Sequence, residues 1–313
     1  MTNVLLLGAG FTADERARLT ETFDSVSAAQ AEDVAKIDAS TRAGIKAVAF
    51  KGHMPLGAAI MDQLAGLGVI ANFGVGYDAI DVTAASARGI KVTNTPDVLN
   101  DDVADLAVAM LLAQSRNMIV GDARARTGLW AKEGELPLNR KASGSSVGIV
   151  GLGRIGREIA DRLAAFKMDI HYSSRSEKQT PGWTYHSDVV SLASAVDFLV
   201  IALVGGAETE KHVSAEAIAA LGPRGVVVNI SRGTTVDEAA LLDALESGAI
   251  AGAGLDVFMN EPNIDPRFAA LDNVVLQPHQ GSGTVETRTA MAVLQHDNIA
   301  AFLAGQDLLT PVN

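Results

Sequence analysis

Short, continuous apolar runs alternate with stretches in which apolar positions recur at helical spacing along almost the whole chain. That alternation is the pattern of parallel strands joined by crossover helices, and it predicts an α/β architecture. In the first third the predicted strands are Val4–Leu7, Lys46–Phe50, Gly68–Phe73 and Lys91–Asn94, with helices over Asp14–Phe23 and Leu56–Leu67. A second series follows, with strands over Val147–Val150, Asp169–Tyr172, Phe198–Leu203, Val226–Ile230, Gly254–Val257 and Val274–Leu276.

Between the two series lies a different element. "DDVADLAVAMLLAQSRNM" opens on acidic residues that suit a helix N-terminus, and Val103, Leu106, Ala107, Met110 and Leu111 follow at helical spacing. So apolar a helix belongs either at the centre of the protein or in a subunit interface. The polar stretch "TGLWAKEGELPLNRKASGSS" behind it reads as a linker carrying Trp130. "VETRTAMAVLQHDNIAAFLAG" is a last amphipathic helix, and the first domain is discontinuous if this helix packs back on it. Two parallel-sheet α/β domains are predicted, 1–98 with 284–313 and 99–283.

Composition narrows the classes of function. A chain of 313 residues can build two cores, and aromatics at 4% suit helices packed on sheets better than a β-sandwich. The formal charge of −12 argues against a nucleic-acid partner, which would need net Lys and Arg. An anionic small molecule would then have to be drawn by local positive groups. The absence of cysteine excludes disulfides, thiolate metal sites and cysteine nucleophiles, and it fits a reducing compartment. "MTNVLLLGAG" lacks a basic start and its apolar run is short, so it reads as a buried strand, with a soluble, cytoplasmic chain and no membrane partner expected.

"SSVGIVGLGRIGREIADRLAAF" supplies strand, Gly151-x-Gly153-x-x-Gly156, then helix. The first glycine permits the turn, the second lets backbone approach a pyrophosphate, and the third lets helix and strand pack closely. The helix N-terminus then offers N–H groups to the phosphates, with Arg154 and Ile155 inside the turn. An ordinary glycine-rich turn is the weaker reading, because the strand and helix stand where the motif requires them.

The next strand ends at Ser174, 18 residues after Gly156, where such proteins usually carry an acid for the adenosine ribose. A serine there removes repulsion of a 2′-phosphate. Arg175 adds a guanidinium, and Ser174 and Ser176 add neutral donors. Charge-assisted hydrogen bonds contribute roughly 1.5–3 kcal/mol each, so one or two would favour NADP over NAD by about 10- to 1000-fold. Lys178 can assist. Glu177 could instead bind ribose or pair with either base, and a solvated turn is the plain alternative.

Three later strand ends carry polar groups: Asn229, Ser231 and Arg232; Asp256 and Glu261; and His279. Ligands of open α/β sheets gather at carboxyl strand ends. Reduction of a ketone builds charge on oxygen, and histidine is suited to supply the proton at neutral pH. A carboxylate orients that histidine, and an arginine clamps a substrate carboxylate. Arg232, Glu261 and His279 fit these roles together, although each alone could be a turn or surface residue. His171, His186, His212 and His296 form no ligand cluster at metal-site spacing, and no metal is expected.

The combination GLGRIG, NISRG, D-V-F-x-N-E-P and P-H-x-G-S resembles the D-isomer-specific 2-hydroxyacid dehydrogenases over nearly the whole chain. "YSSRSEK" and "VGGAET" look most like the NADP-dependent glyoxylate/hydroxypyruvate reductase branch, with hydroxyphenylpyruvate and 2-ketogluconate reductases close by. The resemblance implies two Rossmann-like or flavodoxin-like parallel-sheet domains with an interdomain cleft: a substrate-binding domain over 1–98 and 284–313, and an NADP-binding domain over 99–283. It implies NADPH-dependent reduction of small 2-oxo acids by an Arg232–Glu261–His279 set, and homodimers built through the long helix and the loop after it. "FGVGYD" matches the loop whose N–H groups, at Val75 and Gly76, hold the substrate carboxylate. Leu203, Thr209, Ser231, Asp256, His279 and Gly281 match cofactor-contacting positions. Trp130 matches an aromatic that reaches a neighbouring subunit's active site, or simply packs in the dimer. Two positions depart from the pattern: Val204 replaces a common proline, and Gln280 replaces an apolar residue after the histidine. Lys51, near the substrate loop, is a candidate helper for anions.

Overall fold

The computed structural model describes residues 2–313. The chain divides into two compact units, one comprising residues up to Leu99 together with Thr284–Asn313, the other Asn100–Gly283.

The first unit is built on five parallel strands: β1 (Val4–Leu7), β2 (Ser25–Ala28), β3 (Ala47–Phe50), β4 (Val69–Asn72) and β5 (Lys91–Thr93). Their order is β2-β1-β3-β4-β5. β1, β3 and β4 are buried at every position, as strands covered on both faces must be. One cover is the last helix, Val285–Leu303, which returns the chain to this sheet. Its Gln295 Nε2 donates to the carbonyls of Phe50 and Ala71 at 3.1 and 2.8 Å, and the Phe302 ring fills the space a side chain at Gly68 would need. Helix is shorter than the pattern predicts after β3, covering only Ala58–Met61. Beyond it Gly66 runs against the backbone of Ala43 and Ile45, an approach that a helix with side chains on all faces would not allow.

The second unit carries seven parallel strands: β6 (Ser146–Val150), β7 (Asp169–Ser173), β8 (Thr184–His186), β9 (Phe198–Ile201), β10 (Val226–Asn229), β11 (Gly252–Leu255) and β12 (Val274–Leu276). They stand in the order β12-β11-β10-β9-β6-β7-β8. The order reverses between β6 and β9, the switch point at which open sheets of this kind hold ligands. The apolar helix, Asn100–Ser115, lies on this sheet. Gly252 and Gly254 of β11 make that possible, because side chains there would run into Gln114 and Met110. Met110 and Leu111 are fully buried, and each such side chain stabilises the unit by roughly 1.5–3 kcal/mol. The helix stops at Asn117, whose φ of 50° is left-handed, and a second helix, Met118–Arg126, leaves at 65°. The predicted linker contains a further short helix, Leu129–Glu133. Among the described residues no single helix is long and apolar enough to cross a membrane.

β2 and β8 were not predicted. Both are edge strands paired on one side only, and their sequences, SVSA and TYH, lack the continuous apolar run of the central strands.

Candidate active site

The carboxyl ends of the seven-stranded sheet form one continuous rim. At its centre β6 gives way to Gly151, whose φ of 97° is open to glycine. A side chain there would meet Ala202 O at 2.7 Å, so the turns after β6 and β9 touch. A side chain at Gly156 would lie 2.1 Å from Gly151 O, which is why the helix Arg154–Ala165 can start directly against the strand. At Gly153 a side chain would meet nothing within 4 Å. Gly153 is the N-cap, no side chain caps the helix, and its first turn has no acidic residue. A helix start with a glycine N-cap, room beside it and no carboxylate in its first turn is an arrangement that suits pyrophosphate. Arg154 is exposed at the turn and Ile155 half-buried.

β7 ends beside this turn. Ser174 Oγ donates to Ser176 O at 2.6 Å, and Arg175, Ser176, Glu177 and Lys178 are exposed. No carboxylate occupies the strand end itself. The residues present thus fit a dinucleotide whose adenosine ribose carries a phosphate.

On the other side of the switch point, Ser231 Oγ donates to Leu203 O at 2.6 Å and ties the turn after β10 to the turn after β9. In the β9 turn Thr209 Oγ1 donates to Val204 O at 2.7 Å, which closes the loop in the absence of a proline and leaves Val204 exposed. Asn229 braces the β10 turn at both ends: its Oδ1 accepts from Ser231 N, and its Nδ2 donates to Arg232 O, both at 3.0 Å. Arg232 is half-buried, and its guanidinium donates to Ser231 O at 2.8 Å. The next residue, Gly233, packs so closely on Phe258 and Met259 that a side chain would lie 2.0 Å from Phe258 C. This contact sets the arginine turn directly against the loop that follows β11.

That loop presents Glu261 to His279. Glu261 Oε2 lies 2.7 Å from His279 Nδ1, and Oε1 accepts the Phe258 N–H at 2.8 Å. The carboxylate is thereby fixed at both oxygens, and the bond to Nδ1 orients the ring. His279 itself has φ 55°, an uncommon conformation for a residue with a side chain. Asp256 holds it there. Its carbonyl accepts from His279 N at 2.9 Å, and its carboxylate accepts from Gln280 N at 2.6 Å and Gly281 N at 2.8 Å. Asp256 is 1% exposed, and burial pushes its carboxyl above the usual range against the pull of those two N–H groups. Gly281 is buried with it, because a side chain there would crowd Asp256 Oδ2 and Val103. Asp256 and Gly281 therefore shape the histidine turn from within. Gln280 points its amide back to Pro278 O at 3.3 Å, satisfying a backbone group.

Glu238 was not singled out from the sequence. It is a half-buried residue at the start of the helix Glu238–Ser247, and its Oε2 accepts from Met259 N at 2.8 Å. Two carboxylates thus grip the consecutive N–H groups of Phe258 and Met259. Burial raises the Glu238 carboxyl above its ordinary range, and Asp265 and Glu261 add to the rise. Glu at a helix start reads as a dipole partner, so only its depth reveals the second task.

In the five-stranded unit the loop Phe73–Tyr77 follows β4. Asn72 Nδ2 donates to Gly74 O and Gly76 O at 3.0 and 2.8 Å, and Asn94 Nδ2 to Val75 O at 2.9 Å. In a planar trans peptide the N–H points opposite to the carbonyl. With Gly74 O and Val75 O drawn inward, the N–H groups of Val75 and Gly76 face the other way. Asn72 and Asn94 carry this geometry and were not singled out, although asparagine ending an apolar strand is a visible signal.

One sequence expectation changes. Lys51 is committed to Glu15, with Nζ 2.5 Å from Oε2, and both side chains are largely buried. Burial lowers the Lys51 pKa while Glu15 raises it, and the ammonium sits 4.3 Å from the centre of the Phe73 ring. This lysine supports the loop from behind. His171 and His186 meet across β7 and β8, Nδ1 to Nε2 at 2.9 Å. Trp130 is 64% exposed on its short helix.

Comparison with known proteins bears on the whole chain. Residues 108–281 match the D-isomer specific 2-hydroxyacid dehydrogenase NAD binding domain. The chain is 47% identical to hydroxyphenylpyruvate reductase of Plectranthus scutellarioides over 86% of its own length and 85% of that protein. It is 46% identical to a glyoxylate/hydroxypyruvate reductase of Arabidopsis thaliana over 87% and 86%. Its fold superposes with a TM-score of 0.94 on an NADPH-dependent glyoxylate/hydroxypyruvate reductase of Sinorhizobium meliloti solved with NADP and malonate, at 44% identity and covering 100% and 97% of the two chains. Glycine turn, strand-end acid–base pair and these likenesses agree: the chain belongs to the D-isomer-specific 2-hydroxyacid dehydrogenase family and is an oxidoreductase.

Proposed function

We propose that the protein reduces small 2-oxo acids, glyoxylate and hydroxypyruvate foremost, to 2-hydroxy acids with NADPH. The observation that carries this reading is the Glu261–His279 pair, fixed at 2.7 Å on the same rim as an uncapped glycine turn. The dinucleotide supplies a hydride when bound, held at Gly151, Gly153 and Gly156, with Ser174, Arg175 and Ser176 toward its ribose phosphate. Leu203, Thr209 and Ser231 line its path along the rim, shaped by Asp256 and Gly281.

The chain's own side chains handle the substrate. Arg232 takes the carboxylate and polarises the carbonyl. His279 delivers a proton from Nε2 to the carbonyl oxygen as charge develops there. Glu261 stabilises the imidazolium before transfer and keeps the ring turned. The Val75 and Gly76 N–H groups are further ligands for a carboxylate.

The same reading makes the protein a homodimer. Met118, Ile119, Leu129, Trp130 and Leu138 expose large apolar side chains within one stretch of chain, and such groupings mark contact surfaces. Sedimentation checks the dimer, and fractionation checks a cytoplasmic location.

The decisive experiment measures kcat/KM for NADPH and NADH oxidation with glyoxylate, hydroxypyruvate, hydroxyphenylpyruvate and 2-ketogluconate. Preference for NADPH with either of the first two substrates supports the proposal. A higher kcat/KM for hydroxyphenylpyruvate or 2-ketogluconate would replace the substrate assignment, and a preference for NADH would overturn the cofactor assignment.

A further inference from the structure

The loop after β7 is held in shape by one fully buried side chain and several partly buried ones. Tyr172, 1% exposed and next to last in β7, sends its hydroxyl to the far end of the turn. That hydroxyl accepts from Lys178 N at 2.8 Å and donates to Lys178 O at 3.1 Å, so one buried atom closes the segment Ser174–Lys178. Tyr185, on the neighbouring edge strand, donates its hydroxyl to Ser174 O at 3.4 Å, and the two rings lie 5.5 Å apart. Beyond the turn, Arg157 on the glycine-turn helix donates to Gln179 O at 2.8 Å and sits 5.4 Å from the Trp183 ring. The backbone is thus pinned at Ser174, Lys178 and Gln179, and Arg175 and Ser176 project from between the pins.

A buried hydroxyl that spends both its donor and its acceptor on one exposed loop residue does nothing for the sheet that carries it. Phenylalanine would fill the same apolar space. What the hydroxyl adds is a fixed turn, and a fixed turn spares a binding site the loss of freedom on engaging its ligand. We infer that Tyr172, assisted by Tyr185, is a specificity-positioning residue: it holds the Ser174–Lys178 turn so that Arg175 and Ser176 meet a ribose 2′-phosphate without first being ordered. The inference rests on the proposed NADPH reading and extends it to residues that never contact the cofactor.

The test compares Tyr172→Phe, Tyr185→Phe and Arg175→Ala in the full-length protein by kcat/KM for NADPH and for NADH with glyoxylate, alongside Tm. Tyr172→Phe is expected to lower kcat/KM for NADPH about tenfold, through KM, and to change that for NADH less than about twofold. Tyr185→Phe, which loses a longer bond, is expected to move the same ratio less. Combined with Arg175→Ala, Tyr172→Phe is expected to cause a smaller further loss of preference than it causes alone, because only Ser176 is left for it to position. Equal losses with both cofactors would mean a merely structural tyrosine and would overturn the inference, as would no loss at all. Should Tyr172→Phe fold too poorly to assay, an unchanged ratio in Tyr185→Phe would overturn it and a reduced one would support it. An Arg175→Ala variant with unchanged preference would remove Arg175 from cofactor selection and overturn the inference, whereas a preference for NADH in the unaltered protein would sink the NADPH reading itself. A reduced preference in Arg175→Ala with an unaltered one in Tyr172→Phe would sink the positioning role alone.

Discussion

Both sheets begin the same way, with an apolar strand, a G-x-G turn and a helix, yet only one of the two turns is open. After β1 the chain reads GAGFTADE, and after β6 it reads GLGRIGRE. In the first, Thr12 caps the helix Ala13–Thr22 by accepting from Glu15 N, and Glu15 returns a bond to Thr12 N at 2.8 Å. Asp14 and Glu15 fill the first turn with negative charge, and the Glu15 carboxylate is spent on Lys51. Gly8 serves only to let β1 pass Lys51 O, which a side chain would approach to 1.9 Å. In the second turn the N-cap is a glycine with no side chain to offer, the first residue is Arg154, and a third glycine brings the helix onto the strand. Helix N-termini attract anions unless the protein supplies its own. The contrast teaches that two glycines and a topology do not make a phosphate site; a helix start that brings no capping side chain and no carboxylate of its own does.

The largest expected effect lies on the open side. His279→Ala should lower kcat for reduction by about 100- to 10,000-fold with little change in cofactor affinity, checked by steady-state kinetics beside NADPH titration. Near-normal kcat would remove His279 from the chemistry. On the closed side, Lys51→Met strands a buried carboxylate and should reduce unfolding free energy by about 3 kcal/mol in denaturant titrations. Thr12→Ala should cost about 1 kcal/mol of stability and leave NADPH binding untouched. Loss of binding there would mean that the two turns are not distinct in function.

The smallest effect concerns pH. Burial raises the Glu238 carboxyl in the folded protein, so both folded and unfolded states carry the proton below the unfolded value. As pH rises through the folded value, the native state must ionise a partly buried group that the unfolded chain ionises in water, and stability is lost. Glu238→Gln should therefore raise Tm slightly near pH 7 and by less near pH 4, while its amide oxygen still accepts from Met259. A gain that grew toward acid would contradict the sign of the shift.

Much of this arrangement is legible in the sequence because burial writes it plainly. β1, β3, β4, β9 and β10 are apolar at nearly every position, and Arg232, Glu261 and His279 stand out as polar groups where such runs end. The edge strands β2 and β8 are not legible, since one free side tolerates serine, threonine and histidine. Nor are the supports. Tyr172 reads as one more apolar position in β7, Asp256 as a ligand-facing acid, and Lys51 as a cation awaiting an anion. Each takes its role from a partner distant in sequence or from depth, and a local pattern carries neither.

The most direct test closes the open turn in the manner of the closed one. Gly153 has an extended backbone and room for a side chain, so Gly153→Asp should cap the helix Arg154–Ala165 and put a carboxylate where phosphates bind. The quantity to measure is the dissociation constant for NADPH by fluorescence titration. A rise of at least about tenfold, with Tm equal or higher, is the predicted result. An unchanged constant in a capped, stable variant would contradict the claim that the uncapped glycine turn holds the dinucleotide.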